Sequence, residues 1–275
     1  KDGATFSPSI STKVCNTFIG SINGSSAFIN GSIDDVRIYS RALSAKEITQ
    51  LYQMGGSKIN KTIITPTLNS GLVGWWTFDG ADSFPSTVAD KSGNNNTGNR
   101  TSVTMKAGKI GQGGSFNGST SRVSMGTISS LNGATSLTLS TWVKQSSFTA
   151  NQRIFSKGAA NDFLFQTITP NNFRFFLNNI VSSSTASGLV ANKWNHIAVT
   201  WTAGTTNNVK FYLNGNLVLT TNNYIPSVNP VGGVLVLGNF TGSDNSVLNG
   251  TMDDARVWTR ALSAKEILQL YQMGK

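Results

Sequence analysis

Hydrolysis of a glycosidic bond needs two carboxyl groups flanking it, one as acid and one as nucleophile or base. This chain of 275 residues has 12 acidic residues and only two glutamates, Glu47 and Glu266. Each glutamate stands three residues after a serine, Ser44 or Ser263, just ahead of an apolar stripe. That is the spacing of a helix capping box, in which hydroxyl and carboxylate satisfy each other's free backbone N–H groups. No predicted strand places acids two or four residues apart, so paired-carboxylate catalysis has no residues to use. His196 is the only histidine and has no Ser or Cys partner in its sequence context; a packed strand histidine is expected. Asp90, Ser92 and Asn94 alternate as oxygen donors do in calcium loops. Asn95 and Thr101, however, stand where such a loop needs glycine and a bidentate glutamate, which leaves an Asx-type turn as the expectation.

Six tryptophans are candidates for stacking on sugar rings. Trp76, Trp194 and Trp201 fall in phase with apolar neighbours and read as core. Trp75, Trp142 and Trp258 have the opposite parity, so they are candidate exposed platforms. The competing reading is that a helix or a second sheet covers them.

These residues are positioned by a chain that repeats itself. Residues 31–55 and 250–274 match at 18 of 25 positions, a period of 219 residues. A period that long is a tandem copy of a domain rather than a solenoid unit. Each copy reads as a strand followed by a short capped helix. Val36 and Ile38 share one face, as do Ala255 and Val257; Ile48, Leu51 and Tyr52, or Ile267, Leu270 and Tyr271, form the helix stripe. Gly55 and Gly274 supply the stop.

Composition narrows the class further. The chain is 38% hydrophobic and 12% charged, with 28 glycines. That suits short strands joined by tight turns. The net charge of +10 arises from few acids and 22 scattered Lys and Arg. A diffuse field of this kind favours anionic glycans or cell surfaces; without a basic run or basic helix face, no nucleic acid is expected as partner. Cys15 is the only cysteine, so no intrachain disulfide forms. No run approaches a membrane span.

Short apolar segments recur from residue 71 onward: 72–79, 114–117, 122–125, 136–144, 153–157, 163–168, 173–177, 194–201, 209–213, 217–220 and 234–237. Asn214-Gly215 between two of them is a hairpin signal, because both residues tolerate positive φ. This spacing predicts an all-β, two-layer antiparallel sandwich with a short C-terminal helix.

In order along the chain stand Trp76-Thr-Phe78-Asp79, Asp90-Lys-Ser92-Gly93-Asn94, Ser115-Phe-Asn117-Gly118, Leu137-Thr-Leu-Ser-Thr-Trp142-Val, Trp194-Asn-His196-Ile-Ala-Val-Thr200, Phe211-Tyr-Leu-Asn214-Gly215 and the closing Asp253-to-Tyr271 unit. This series resembles the laminin-G-like domains of the concanavalin A-like lectin/glucanase superfamily. The resemblance covers 71–275, with 1–55 as the C-terminal part of a preceding domain and 56–70 as linker. It implies a jelly-roll sandwich in an extracellular or cell-surface protein. The Glu-x-Asp-x-x-Glu pattern of the laminarinase-like enzymes of that superfamily is absent.

In the resembled fold the first and last strands are antiparallel neighbours. That would bring Asp79 and Asp253 together, with Asn117 and the Gly118 carbonyl completing a structural Ca2+ site. The alternative is that these acids cap strand ends or pair with Arg122 or Arg256. The functional expectation is a non-catalytic carbohydrate-binding or adhesion module of a longer multi-repeat protein, with a glycan or cell-surface protein as partner. The alternative is a structural repeat of a fibre or stalk that acts through contacts with neighbouring repeats or subunits. Residues 1–55 are expected to complete a sandwich whose other strands lie outside this chain, and the cover of Val36 and Ile38 is the mark of that completion.

Because Glu266 reads as a cap, Glu266→Gln is expected to cost on the order of 1 kcal/mol of stability in urea denaturation. Hydrolysis of a β-glucan by the wild type, lost in this variant, would show the glutamate to be catalytic instead.

Overall fold

Alternation of apolar and polar residues at period two makes a strand with one buried face. Residues Ser136–Gln145 (β7) turn Leu137, Leu139 and Val143 inward and Thr138, Ser140 and Trp142 outward. Asn195–Thr202 (β12) pairs antiparallel with it and sets Val199 opposite Leu139. In the computed structural model the described residues are 18–21, 28–31, 33, 36–45, 47–48 and 66–275 without 81–85, 149–150, 159–160, 169–171, 184–187 and 241–245. The chain divides into two units, Lys1–Lys61 and Thr62–Lys275.

The second unit is a sandwich of two antiparallel sheets. The first sheet runs β14 (Asn216–Thr221), β13 (Val209–Leu213), β12, β7, β16 (Asn249–Trp258), β5 (Gln112–Asn117) and β4 (Thr104–Ala107), with β1 (Leu72–Trp76) also paired to β16. The second runs β11 (Ile180–Ser183), β10 (Asn172–Leu177), β9 (Phe163–Ile168), β8 (Gln152–Lys157), β15 (Val234–Leu237), β6 (Arg122–Thr127), β3 (Gly98–Thr101) and β2 (Thr87–Val88). One core fills the space between them. Phe211 of the first sheet lies 5.6 Å from Phe173 and 6.5 Å from Phe165 of the second, ring centre to ring centre. Gly74 is fixed by this packing, since the ring of Trp76 lies where a Cβ would be.

The expected hairpin forms at Asn214-Gly215, with φ of 50° and 81°, between β13 and β14. The short strands β2, β3, β4 and β11 carry weak or no alternation and were absent from the sequence expectation.

A smaller apolar cluster lies on the outer face of the first sheet. There Ala198, Tyr212 and Trp258 meet Leu262, Ile267 and Leu270 of the closing segment. Residues Ala264–Met273 form its helix, α2. Leu68, in the short helix α1 (Pro66–Asn69), joins the cluster, and its carbonyl accepts from Trp258 Nε1 at 2.7 Å. Leu68, inside the stretch expected as linker, thus packs in this cluster.

The capping box forms in both copies. Ser263 N donates to Glu266 Oε2 at 2.8 Å and Glu266 N to Ser263 Oγ at 3.3 Å. Ser44 and Glu47 make the same two bonds at 2.8 and 3.3 Å. An arginine braces each box, Arg260 on Glu266 at 2.7 Å and Arg41 on Glu47 at 2.6 Å. Burial raises the Glu266 pKa, but the bonds from Arg260 and Ser263 outweigh it and hold the value at about 2.

The strand part differs between copies. Residues 36–39 belong to no strand, and Val36 and Ile38 are 49% and 79% exposed. Cys15, Asp34, Asp35, Leu51, Tyr52 and Gly55 lie outside the described residues.

One ion pair is fully inside the sandwich. Lys157 Nζ meets Asp162 Oδ2 at 3.0 Å, and Asn229 Nδ2 donates to Asp162 Oδ1 at 3.1 Å. Lys157→Ala would strand a buried carboxylate and is expected to cost about 3–5 kcal/mol in urea denaturation. Pairing Lys157→Met with Asp162→Asn is expected to recover part of that loss.

Candidate functional site

Strand β16 changes partner halfway along one edge. Its residues Asn249–Met252 pair with β5, and Ala255–Trp258 pair with β1. A bulge between Asp253 and Arg256 marks the change, with Asp254 at φ 50°. Carboxylates fill the gap in the hydrogen-bond ladder. Asp253 Oδ2 accepts from Lys109 N at 2.7 Å and Ile110 N at 2.8 Å, and Asp79 Oδ1 accepts from Gln112 N at 2.8 Å. Both therefore hold the turn that leads into β5.

Asn117 and Gly118 lie at the other end of β5, about 17 Å away at the rise of an extended strand. Asn117 Oδ1 accepts from the N–H groups of Ser119, Thr120 and Ser121, so it caps a turn. The four residues expected around Ca2+ thus fall in two places. Calcium needs six to eight oxygens. Among the described residues no group of three or more His, Cys, Asp or Glu converges. The residues present do not fit the expected ion.

Asp254 is an ion-pair partner. Its Oδ1 accepts from Arg256 Nη2 at 2.9 Å and from Trp75 Nε1. The Arg256 guanidinium lies 4.1 Å from the Trp75 ring centre, so one face of that indole is taken. Trp258 is buried beneath the closing helix. Trp142 stacks on Tyr271 of α2 with ring centres 5.5 Å apart. None of the three expected platforms presents a free, uncovered ring, because α2 and Arg256 cover what strand parity alone turns outward.

His196 is buried and bonded through Nε2 to Ser140 Oγ at 2.9 Å. Burial holds its imidazole down at about 4, with Asp254 opposing and Arg256 assisting. The Asp90 loop is a turn clamp: Oδ1 accepts from Ser92 N at 2.8 Å and Trp75 N at 2.9 Å.

The sequence reading missed the outer face of the second sheet. Register places Arg153 and Arg174 on either side of Gln166, on β8, β10 and β9. Residues directly opposite share a face, so the two guanidiniums flank one amide across two strand spacings, roughly 10 Å. The adjoining row is Phe176, Leu164, Ser156, Val236 and Ser124; neither row contains an acid. Asn239 and Phe240 fold onto this face, with Ser156 Oγ donating to the Asn239 carbonyl at 2.6 Å. The Arg153 guanidinium stands 4.8 Å from the Phe240 ring centre and that of Arg174 5.7 Å from Phe176. Arg174 Nε is buried without a hydrogen-bond partner. Helices α1 and α2 pack on the other sheet, and Gln166 itself is buried. Planar cations beside half-buried rings suit a ligand with an apolar face and anionic substituents. No single motif carries this set, since it depends on the register of three strands.

A second recess of about 480 Å3 opens on the first sheet beyond α2, lined by Lys106, Lys144, Asn117, Asn249, Ser115 and Thr251 among others. Its side chains are mostly polar, and the one ring in its wall, Phe116, is buried.

The two-layer antiparallel sandwich and its closing helix define a lectin-like jelly roll. A family model described as the concanavalin A-like lectin/glucanases superfamily matches residues 2–49 and 117–268, and the chain belongs to that superfamily. No curated protein matches it. Among solved structures, domain 4 of AbnA, a GH43 extracellular arabinanase from Geobacillus stearothermophilus solved with arabinotriose, is 21% identical with a TM-score of 0.58, covering 73% of this chain and 98% of that one. A botulinum neurotoxin type C structure, described by its interaction with two ganglioside molecules, is 17% identical with a TM-score of 0.58, covering 76% of this chain and 53% of that one. The binding domain of Paraclostridial Mosquitocidal Protein 1 is 16% identical with a TM-score of 0.56, covering 75% of this chain and 53% of its own. At these identities the likeness shows the fold.

Burial pushes the Asp253 carboxyl up to about 7, the Ile110 and Lys109 N–H groups opposing and Asp254 reinforcing. A raised acid holds its proton in the folded state where the unfolded chain has lost it. Its contribution therefore falls as pH rises from about 4 to about 7 and is level above. His196 has the opposite sign, losing stability as pH falls from 6.5 to about 4. Asp253→Asn is expected to raise stability at pH 8 relative to wild type, on the order of 1–3 kcal/mol, and to leave only the His196 slope. Urea denaturation at pH 5 and 8, with and without chelator, checks this. A variant destabilised at pH 8 to the same extent as chelated wild type would show a cation on Asp253 Oδ1.

Proposed function

We propose that the chain is a non-catalytic, extracellular carbohydrate-binding module and that it holds anionic glycans on the outer face of its second sheet. The observation that carries this reading is the Arg153–Gln166–Arg174 row beside Phe176 and Phe240, on a sheet face that neither helix covers. A guanidinium meets a carboxylate or sulfate with two parallel N–H bonds, and the ring faces take the apolar side of a sugar. The relatives support the reading by what they are described with, arabinotriose in one and gangliosides in another. The absence of catalysis rests on the chemistry of the two glutamates. Both are committed to capping boxes and arginine pairs.

Arg174→Ala is expected to weaken binding to a sulfated or uronic-acid-containing glycan by about 10- to 100-fold, the worth of one charge-assisted bond. The melting temperature should change less than binding, since Arg174 is only partly buried, and wild-type binding should weaken with salt. A glycan array followed by titration calorimetry checks this, with Lys144→Ala as the control for the recess on the first sheet. Binding lost in the lysine variant and kept in the arginine variant would move the site to that recess. An array with no bound glycan would overturn the reading.

A further inference from the structure

The hairpin that joins β10 to β11 turns on Asn178 and Asn179, at φ of 46° and 65°. Positive angles at both positions are what a two-residue primed turn requires. Asparagine side chains then tie a second segment across this tip. Asn178 Nδ2 donates to the Ser227 carbonyl at 3.0 Å, and its Oδ1 accepts from Asn229 N at 3.0 Å. Asn223 Nδ2 donates to the Ile180 carbonyl at 3.2 Å, and Val228 anchors the segment in the core. Four apolar side chains therefore stand around one tip, Ile180 and Val181 on the hairpin and Tyr224 and Val231 on the crossing segment. They are 49%, 48%, 83% and 70% exposed. Single exposed apolar residues are ordinary, whereas a group of them marks a contact surface.

The charge around the tip has one sign. Between Asp90 and Asp244 the sequence has a single acid, Asp162. It is buried against Lys157 beside the same tip, where its carbonyl accepts from Asn178 N at 3.1 Å. No strand of the second sheet contains any other acid. Val181 stands opposite Phe176 on β10, two residues along from Arg174, and Arg153 reaches the tip through Asn161 Oδ1 at 3.2 Å.

We propose that this tip is a membrane-docking rim. Tyr224, Val231, Ile180 and Val181 enter the interfacial layer of an anionic bilayer, and Arg174 and Arg153 rest on its head groups. A protein partner needs a packed, complementary surface. These side chains stand apart, with asparagines between them, and a fluid interface accepts them without matching shape. Tyrosine suits that boundary, with its ring in the apolar layer and its hydroxyl in water. Basic side chains close to the surface add attraction to anionic lipid.

The test mixes the whole 275-residue chain with phosphatidylcholine vesicles, with and without phosphatidylserine, and follows co-sedimentation. Neither vesicle carries a sugar, so failure here leaves the glycan reading untouched, and failure of that reading leaves the rim. Binding is expected to be about 10-fold tighter with phosphatidylserine and to weaken as salt rises. The triple variant Val181→Ser, Tyr224→Ser and Val231→Ser should lose at least about 10-fold of it. Its melting temperature and its binding of an anionic glycan should stay at the wild-type level, which separates loss of the rim from loss of the fold. Absence of sedimentation with phosphatidylserine overturns the proposal. Binding that survives the three serines also overturns it, since charge alone would then hold the vesicle. Analytical ultracentrifugation adds one more outcome: a dimer that the three serines dissolve would put a second copy of the chain in place of the membrane.

Discussion

Strand β16 must be hydrogen-bonded along both edges over ten residues, and no single strand supplies the whole of one edge. β7 takes one side, while β5 and β1 share the other end to end. The break between them leaves backbone groups of the 108–112 turn that need acceptors, and buried donors without partners are costly. Asp253 and Asp79 supply them. The bulge at Asp254 lets β16 continue after the gap, and the Arg256–Asp254–Trp75 contacts pin its outer side. The acids most suggestive of a metal site are thus explained by the joining of two strands to a third.

From this join the two faces of the molecule follow. The chain leaves β16 through Arg260 and the capped helix α2, which folds back onto the first sheet. That covers Trp142, Tyr212 and Trp258 and takes their aromatic surface out of use for recognition. On the second sheet Leu164, Gln166, Ser156 and Val236 of the outward rows are buried, while Arg153, Arg174, Phe176 and Phe240 are half-buried at their margin.

Much of the fold was legible because short-range chemistry carries it. The two capping boxes, the Asn214-Gly215 turn and the Asp90 turn form where residue type and spacing place them, and each needs only neighbours a few residues away. The long strands were legible because a buried face imposes period two. The set Asp79, Asp253, Asn117 and Gly118 misled because nearness in motif order is not nearness in space; β5 is a straight strand with one pair at each end.

The duplicated unit separates the two kinds of information within one chain. Residues 31–55 and 250–274 share 18 of 25 residues, so their local propensities are nearly the same. The box and its arginine brace form in both. Among the described residues of the unit a strand forms only in the copy flanked by β7, β5 and β1. By itself, then, the sequence determined the capped turns, the apolar periodicity and the superfamily. Only the tertiary structure decided which copy becomes a strand, which tryptophans are covered and that Arg153, Gln166 and Arg174 stand in line. The physical reason is that a helix cap closes its hydrogen bonds within a few residues, whereas a strand and its register exist only through partners far away in the chain.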